Sequence, residues 1–124
     1  MIPRGMVNAN QLAALGINTT LSSNHILNAF TPYGDASLVR MANMYDNIAQ
    51  LAKEDEITDV FAMITENAAK ILALDNEIKI GAAATLVVLE AKTATETIRT
   101  NAQALAGFKN GKQTFNNAAA EIYC

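Results

Sequence analysis

Apolar residues recur three and four positions apart in the middle of the chain, the spacing that gathers them on one face of an α-helix. The strongest such stretch follows Asp35, a residue type that commonly caps a helix, so we predict a helix over residues 35–52 with Asp35 as its cap. Its apolar positions are Leu38, Met41, Ala42, Tyr45, Ile48, Ala49 and Ala52. This is the best-supported single element in the sequence.

Weaker helical periodicity surrounds that stretch. After a charged break at residues 53–56, the pattern predicts a helix over 58–64 and another over 65–74. An earlier helix is predicted within residues 7–15, because Gly16 follows it directly and glycine often ends a helix. Thr58 is the candidate cap of the helix at 58–64.

Other stretches have the character of β-strands. Residues 17–21 form a short strand candidate, and the continuous apolar run at 85–89 predicts a strand covered on both faces. Two further runs, 103–108 and 112–115, flank the Asn-Gly pair at 110–111, which is a strong hairpin signal. The sequence therefore predicts an α+β fold for the isolated chain, with a mainly helical middle and a small antiparallel sheet near the C-terminus.

Composition narrows the function classes. The chain has 124 residues with a formal net charge of −3, and its Lys and Arg residues form no basic patch, so we expect no nucleic-acid partner. The apolar runs are too short to span a membrane. The single cysteine is the final residue, Cys124, so one chain cannot form a disulfide framework. We expect a cytoplasmic protein with no membrane partner.

Polar residues that could carry chemistry cluster after the predicted strand at 17–21. They are Ser22, Ser23, Asn24 and His25. The only histidine, His25, could be a general base, a metal ligand or an ordinary hydrogen-bonded residue, and the last is the commonest case. Serine and asparagine at such a place either form a turn or line a site, and both alternatives stay open.

Segments in a consistent order along the chain resemble the cytosine deaminase branch of the amidohydrolase superfamily. The segments are Arg4-Gly5-Met6, residues 12–18, residues 21–26 (Leu-Ser-Ser-Asn-His-Ile), 30–34, 38–41, 64–72, 81–89 and Asn110-Gly111-Lys112. Each is weak alone, and the ordered set is fairly specific.

The resemblance implies a fold and an activity. In that family a (β/α)8 barrel carries a small accessory β-sandwich, and a divalent metal, zinc or iron, assists hydrolysis of a cyclic C–N bond. Residues 1–75 then correspond to the end of the barrel, with its last strand and helices, and residues 76–124 to part of the accessory domain. The metal ligands are a His-x-His pair on the first strand, a histidine on a middle strand and an aspartate on the last strand.

The chain departs from this pattern in its site residues. The resemblance implies that Ser23, Asn24 and His25 line the site, and that the ligating aspartate is replaced by Asn24, a neutral and weaker metal ligand. Thr85 replaces a structural aspartate in the turn before the accessory strand. The other ligands and the catalytic glutamate belong to earlier strands, so we assign no certain catalytic residue and expect no metal to be bound by this chain alone.

Two functions of different classes follow. The chain is either a C-terminal fragment of a cytosine deaminase-like hydrolase, inactive without the missing N-terminal barrel portion, or a non-catalytic α+β domain that self-associates as a homodimer or larger homo-oligomer. A complete small enzyme of other chemistry has little support, because one histidine and no evident carboxylate pair leave few catalytic groups. Whether the chain is part of an enzyme is open from sequence.

Overall fold

The computed structural model describes residues 5–23 and 25–117. Helices occupy the first part and a small sheet the second. In chain order the elements are α1 (Ala9–Ala14), α2 (Leu38–Ala49), α3 (Glu54–Ile64), α4 (Glu66–Leu72), β1 (Leu86–Leu89), α5 (Ala94–Arg99), β2 (Ala104–Lys109) and β3 (Lys112–Asn116). The predicted α+β class, with helices in the middle and an antiparallel sheet near the C-terminus, is confirmed. That the chain forms part of a (β/α)8 barrel and of a β-sandwich stays a prediction.

Helix α2 is the predicted central helix, but Asp35 does not cap it. Ser37 does, because its hydroxyl accepts a hydrogen bond from the backbone N–H of Arg40. Asp35 instead accepts from the N–H of Ser37 at 3.0 Å and pairs with Arg40 at 3.4 Å. The hydrogen bond from Ser37 and the nearby guanidinium lower the pKa of Asp35. The helix ends at Ala49 rather than residue 52, since Gln50 is left-handed.

Helix α3 begins at Glu54, four residues before the predicted start, so Thr58 is not its cap. The charged stretch that we interpreted as a break is the first turn, where Glu54, Asp55 and Glu56 complement the positive end of the helix dipole. Glu56 also accepts a hydrogen bond from the backbone N–H of Lys53 at 3.4 Å. Acidic residues therefore start this helix.

Residues 17–21 are extended but form no strand, which corrects the prediction. No neighbouring strand pairs with them in the described part of the chain. Their hydrogen bonds go instead to the helices: the N–H of Leu21 donates to the carbonyl of Met63 at 3.4 Å, and the Asn67 side-chain amide donates to the carbonyl of Thr19 at 3.2 Å. The Asn18 amide returns a bond to the carbonyl of Asn67 at 3.1 Å. The segment therefore lies against α3 and α4.

The sheet is antiparallel with strand order β1-β2-β3. The predicted hairpin is confirmed, with Asn110 and Gly111 both at positive φ between β2 and β3. The prediction that the apolar strand is covered on both faces is wrong for this chain. Strand β1 lies at an edge, and Val87 and Val88 are 54% and 42% exposed.

The core forms where α2, α3 and α5 pack together. Its buried residues are Ala9, Ala42, Tyr45, Ile57, Val60, Met63 and Ile98. Helix α5 is capped by Thr93, whose hydroxyl accepts a hydrogen bond from the backbone N–H of Glu96 at 3.0 Å. A cavity of about 580 Å³ lies between the start of α2, the end of α3 and the sheet, and its lining includes Phe61, Val87 and Phe115. The division into domains at residue 75 stays a prediction.

Candidate functional site

The predicted site residues lie where the extended segment 17–23 passes into the loop before α2. Ser23 is half-buried, and its carbonyl accepts a hydrogen bond from the backbone N–H of His25 at 2.8 Å. His25 is exposed. Asn24, which the resemblance places at the metal-ligating position, lies outside the described residues. A local backbone bond thus joins Ser23 and His25, and the roles of Ser23, Asn24 and His25 as site residues stay predictions.

Asn28 orients the His25 ring, a contact that sequence reasoning missed. The Asn28 side-chain nitrogen lies 3.0 Å from Nδ1 of His25. Its oxygen accepts from the backbone N–H groups of Phe30 and Thr31 at 2.9 and 3.0 Å. The sequence does carry a signal for this turn, namely an asparagine in a loop. Its side chain readily accepts a hydrogen bond from the backbone N–H two residues further on.

Phe30 completes the cluster. Its ring stacks on His25 with the centroids 5.8 Å apart and the planes 30° from parallel. The loop is closed by backbone bonds from Asn28 to Thr31 at 3.0 Å and from Leu27 to Tyr33 at 3.4 Å. An imidazole and a phenyl ring are therefore stacked on each other in an exposed loop.

An apolar groove of about 370 Å³ runs beside the extended segment, between it and α2. Its lining residues are Met6, Val7, Ala9, Leu12, Thr19, Thr20, Leu21, Ser22, Met41, Met44 and Tyr45. Ser22 belongs to this lining, whereas Ser23 and His25 do not.

The described residues do not by themselves fit a zinc or iron ion. Within residues 5–23 and 25–117 no three His, Cys, Asp or Glu side chains come together as a metal-binding group. The Nδ1 atom of His25 already meets the Asn28 amide. A metal in an assembled enzyme would need ligands outside the described part of this chain.

No helix in the described part of the chain is both long and apolar enough to cross a membrane.

Comparison with models of known families and with curated proteins finds no match. Solved structures do match. The chain is similar to 5-methylcytosine deaminase from Klebsiella pneumoniae, both liganded with 5-fluorocytosine (TM-score 0.87) and liganded with phosphonocytosine (TM-score 0.86), at 23% sequence identity. Each match covers 100% of this chain and 31% of the deaminase chain. The chain therefore has the fold of about a third of a 5-methylcytosine deaminase, the group of proteins that the sequence resemblance predicts.

Proposed function

We propose that this chain is the C-terminal portion of a cytosine deaminase-like amidohydrolase, which hydrolyses a cyclic C–N bond only when the rest of a (β/α)8 barrel is present. The observation that carries the proposal is the TM-score of 0.87 over the whole of this chain. The order of the resembling sequence segments supports it independently. On this proposal residues 17–23 are the last barrel strand, and the sheet β1–β3 belongs to the accessory β-domain.

The absence of a paired strand among the described residues and the presence of a groove beside residues 17–23 support the same proposal. The extended segment 17–23 has no paired strand along it in the described part of the chain, although strands are normally stabilised by such pairing. An apolar groove lies next to that segment. A preceding barrel strand would pair with the segment, and its neighbouring helix would fill the groove.

The site that this chain would contribute is one wall of the active site, with Ser23, Asn24 and His25. Asn24 at the position of the ligating aspartate predicts weak metal binding, because a neutral amide is a poorer ligand than a carboxylate and cannot take a proton from an attacking water. The metal, zinc or iron, and the remaining ligands belong to the missing portion. No step of the reaction is assigned to this chain alone.

A chimaera tests the proposal. The matching 31% of the Klebsiella enzyme is replaced by this chain, and release of ammonia from 5-methylcytosine is measured together with the metal content. We expect the Asn24→Asp chimaera to bind more metal and to act at least about tenfold faster than the unsubstituted chimaera. Even the mutation of residues that only support metal ligands lowers metal affinity or activity by ~10–100-fold.

Asn76→Asp is the matched control, because it makes the same chemical change at an exposed asparagine far along the chain. A folded chimaera in which Asn24→Asp and Asn76→Asp leave metal content and activity equally unchanged would contradict the assignment of Asn24. Circular dichroism establishes that each chimaera is folded before it is assayed.

A second candidate is a non-catalytic domain that self-associates as a homodimer. One observation favours it: β1 is an apolar edge strand with Val87 and Val88 exposed, and unprotected edges of this kind pair with other strands. The opposite edge, β3, carries Lys112 and other polar residues, which discourage such pairing. Self-association would therefore proceed through β1.

A further inference from the structure

We propose that Asn28 holds the neutral His25 ring as the tautomer with its proton on Nε2. His25 then offers an N–H donor beside the Phe30 ring. This donor suits a planar heterocycle that carries a hydrogen-bond acceptor. The inference rests on the proposed function for its ligand class. The tautomer itself follows from the contacts of Asn28 and can be tested without any ligand. Asn28 is then a positioning residue that acts through His25.

The orientation of the Asn28 side chain is fixed by the backbone around it. The side-chain oxygen accepts two hydrogen bonds, from the N–H groups of Phe30 and Thr31 at 2.9 and 3.0 Å. Rotating the amide by half a turn would place its NH2 group against those two donors and lose both bonds. The nitrogen of the amide must therefore be the atom that faces His25.

That orientation decides the state of the imidazole. An amide nitrogen only donates, so Nδ1 of His25 at 3.0 Å must accept and cannot carry a proton. In a neutral ring the proton is then on Nε2. No described group accepts a hydrogen bond from Nε2, and His25 is exposed, so this donor is available to a ligand. An imidazole with Nε2 protonated is not a metal ligand through that atom.

The neighbouring aromatic ring indicates what kind of ligand fits. Phe30 stacks with His25 at a centroid distance of 5.8 Å and is 76% exposed. Tyr33, in the same loop, is 74% exposed. Exposed aromatic faces beside a directed N–H favour a flat ring with a carbonyl oxygen or an unprotonated ring nitrogen, because stacking and a hydrogen bond then act together. Cytosine has both acceptors and is the probe.

The experiment reads the tautomer by NMR. His25 is the only histidine, so the long-range ¹H–¹⁵N spectrum of its ring is unambiguous. The spectrum is recorded at alkaline pH, so that the two neutral tautomers are compared. For the natural chain we expect the Nε2-protonated pattern. Asn28→Asp keeps an oxygen for Phe30 and Thr31 but turns a second oxygen toward Nδ1, so we expect the pattern to switch to Nδ1-protonated.

Asn76→Asp serves as the matched control and should leave the imidazole pattern unchanged. Retention of the Nε2-protonated pattern in Asn28→Asp would overturn the proposal, because it would show that residue 28 does not set the tautomer. The backbone amide spectrum of each variant reports whether the loop is still folded.

Titration with cytosine tests the ligand. We expect cytosine to shift the His25 ring signals of the natural chain and to bind at least about fivefold more weakly to Asn28→Asp, in which Nε2 no longer donates. Equal binding to both, or no shift at tens of millimolar cytosine, would overturn the ligand part. A failed chimaera with an observed tautomer switch would instead count against the proposed function alone.

Discussion

At the scale of single residues, the sequence identified the polar cluster but not the contacts that organise it. That Ser23, Asn24 and His25 line a site stays a prediction, whereas the contact of Asn28 with His25 depends on a loop conformation that no periodicity describes. Asp46 was missed for a different reason. It occupies a buried position on α2, whereas the residue type alone argues for exposure.

We expect Asp46 to lower the stability of the chain at neutral pH. It is 7% exposed, neither carboxylate oxygen accepts a hydrogen bond from any described group, and burial raises its pKa to about 6. Because the folded-state pKa lies above the usual 3.8, the folded chain binds more protons than the unfolded chain between these values. Stability attributable to Asp46 therefore falls as the pH rises from about 4 to 6, and the cost persists above that range.

We predict that Asp46→Asn is more stable than the natural chain at pH 8 by about 1–3 kcal/mol, and that the difference shrinks at pH 4. Urea unfolding at both pH values measures it. Asp35 and Asp75 have lowered pKa values, so their contributions to stability rise with pH. These contributions are the same in the variant and the natural chain and cancel in the comparison. The exposed Asp59→Asn is the control; an equal gain there would refute the role of burial.

Tyr45 joins α1 to α2 through its hydroxyl group. That group accepts from the backbone N–H of Ala9 at 2.9 Å and of Asn10 at 3.3 Å, and it donates to the Asn10 side chain at 2.9 Å. Tyr45→Phe should cost about 1–3 kcal/mol, since the buried N–H of Ala9 loses its partner. Hydrogen exchange should accelerate first in α1. Unchanged exchange in α1 would show that the hydroxyl is not what holds it.

At the scale of elements, the sequence predicted those helices and turns whose formation depends on a few neighbouring residues. The amphipathic pattern of α2 and the Asn-Gly pair at 110–111 each specify a structure within a few residues, and both are confirmed. Helix starts were less accurate, because Ser37 competes with Asp35 as a cap and acidic residues 54–56 suit either a loop or a first turn. The prediction of a strand at 17–21 is wrong because a strand needs a neighbouring strand to pair with, and a local sequence pattern does not show whether one is present.

The β2–β3 pairing contains a close contact between a glycine and an aromatic ring. Gly107 lies opposite Phe115, and a methyl group added at Gly107 would overlap that ring. Gly107→Ala should therefore destabilise the chain by about 1–3 kcal/mol, the usual cost of overpacking. In a Phe115→Leu background the cost should fall, because the ring is gone. A double-mutant cycle by thermal or urea unfolding measures the coupling, and strictly additive effects would contradict this account.

At the scale of the whole molecule, many large apolar side chains of the described residues are exposed. Large exposed apolar residues include Val7, Leu15, Ile17, Leu27, Phe30, Tyr33, Ile71, Leu72, Leu74, Ile78, Ile80 and Val87. They lie on the helices, the loops and the sheet edge rather than in one patch. If the chain is a portion of a larger fold, as we propose, these residues would be covered at several places, whereas a single two-fold contact would cover only one region.

Self-association of the purified chain distinguishes these two views. We predict that the chain binds a hydrophobic dye and has a light-scattering mass above that of a monomer, since its exposed apolar side chains have no cover.

Val87→Lys places a charge on the β1 edge, and Leu72→Lys places the same charge on the exposed side of α4. If the chain is a portion of a barrel, both substitutions should lower the mass to a similar, partial extent, because association is unspecific. If it is a homodimer built through β1, Val87→Lys alone should yield a monomer. A dye-free monomer of the natural chain at about 100 μM would contradict both views, because it would show that the apolar surface needs no partner.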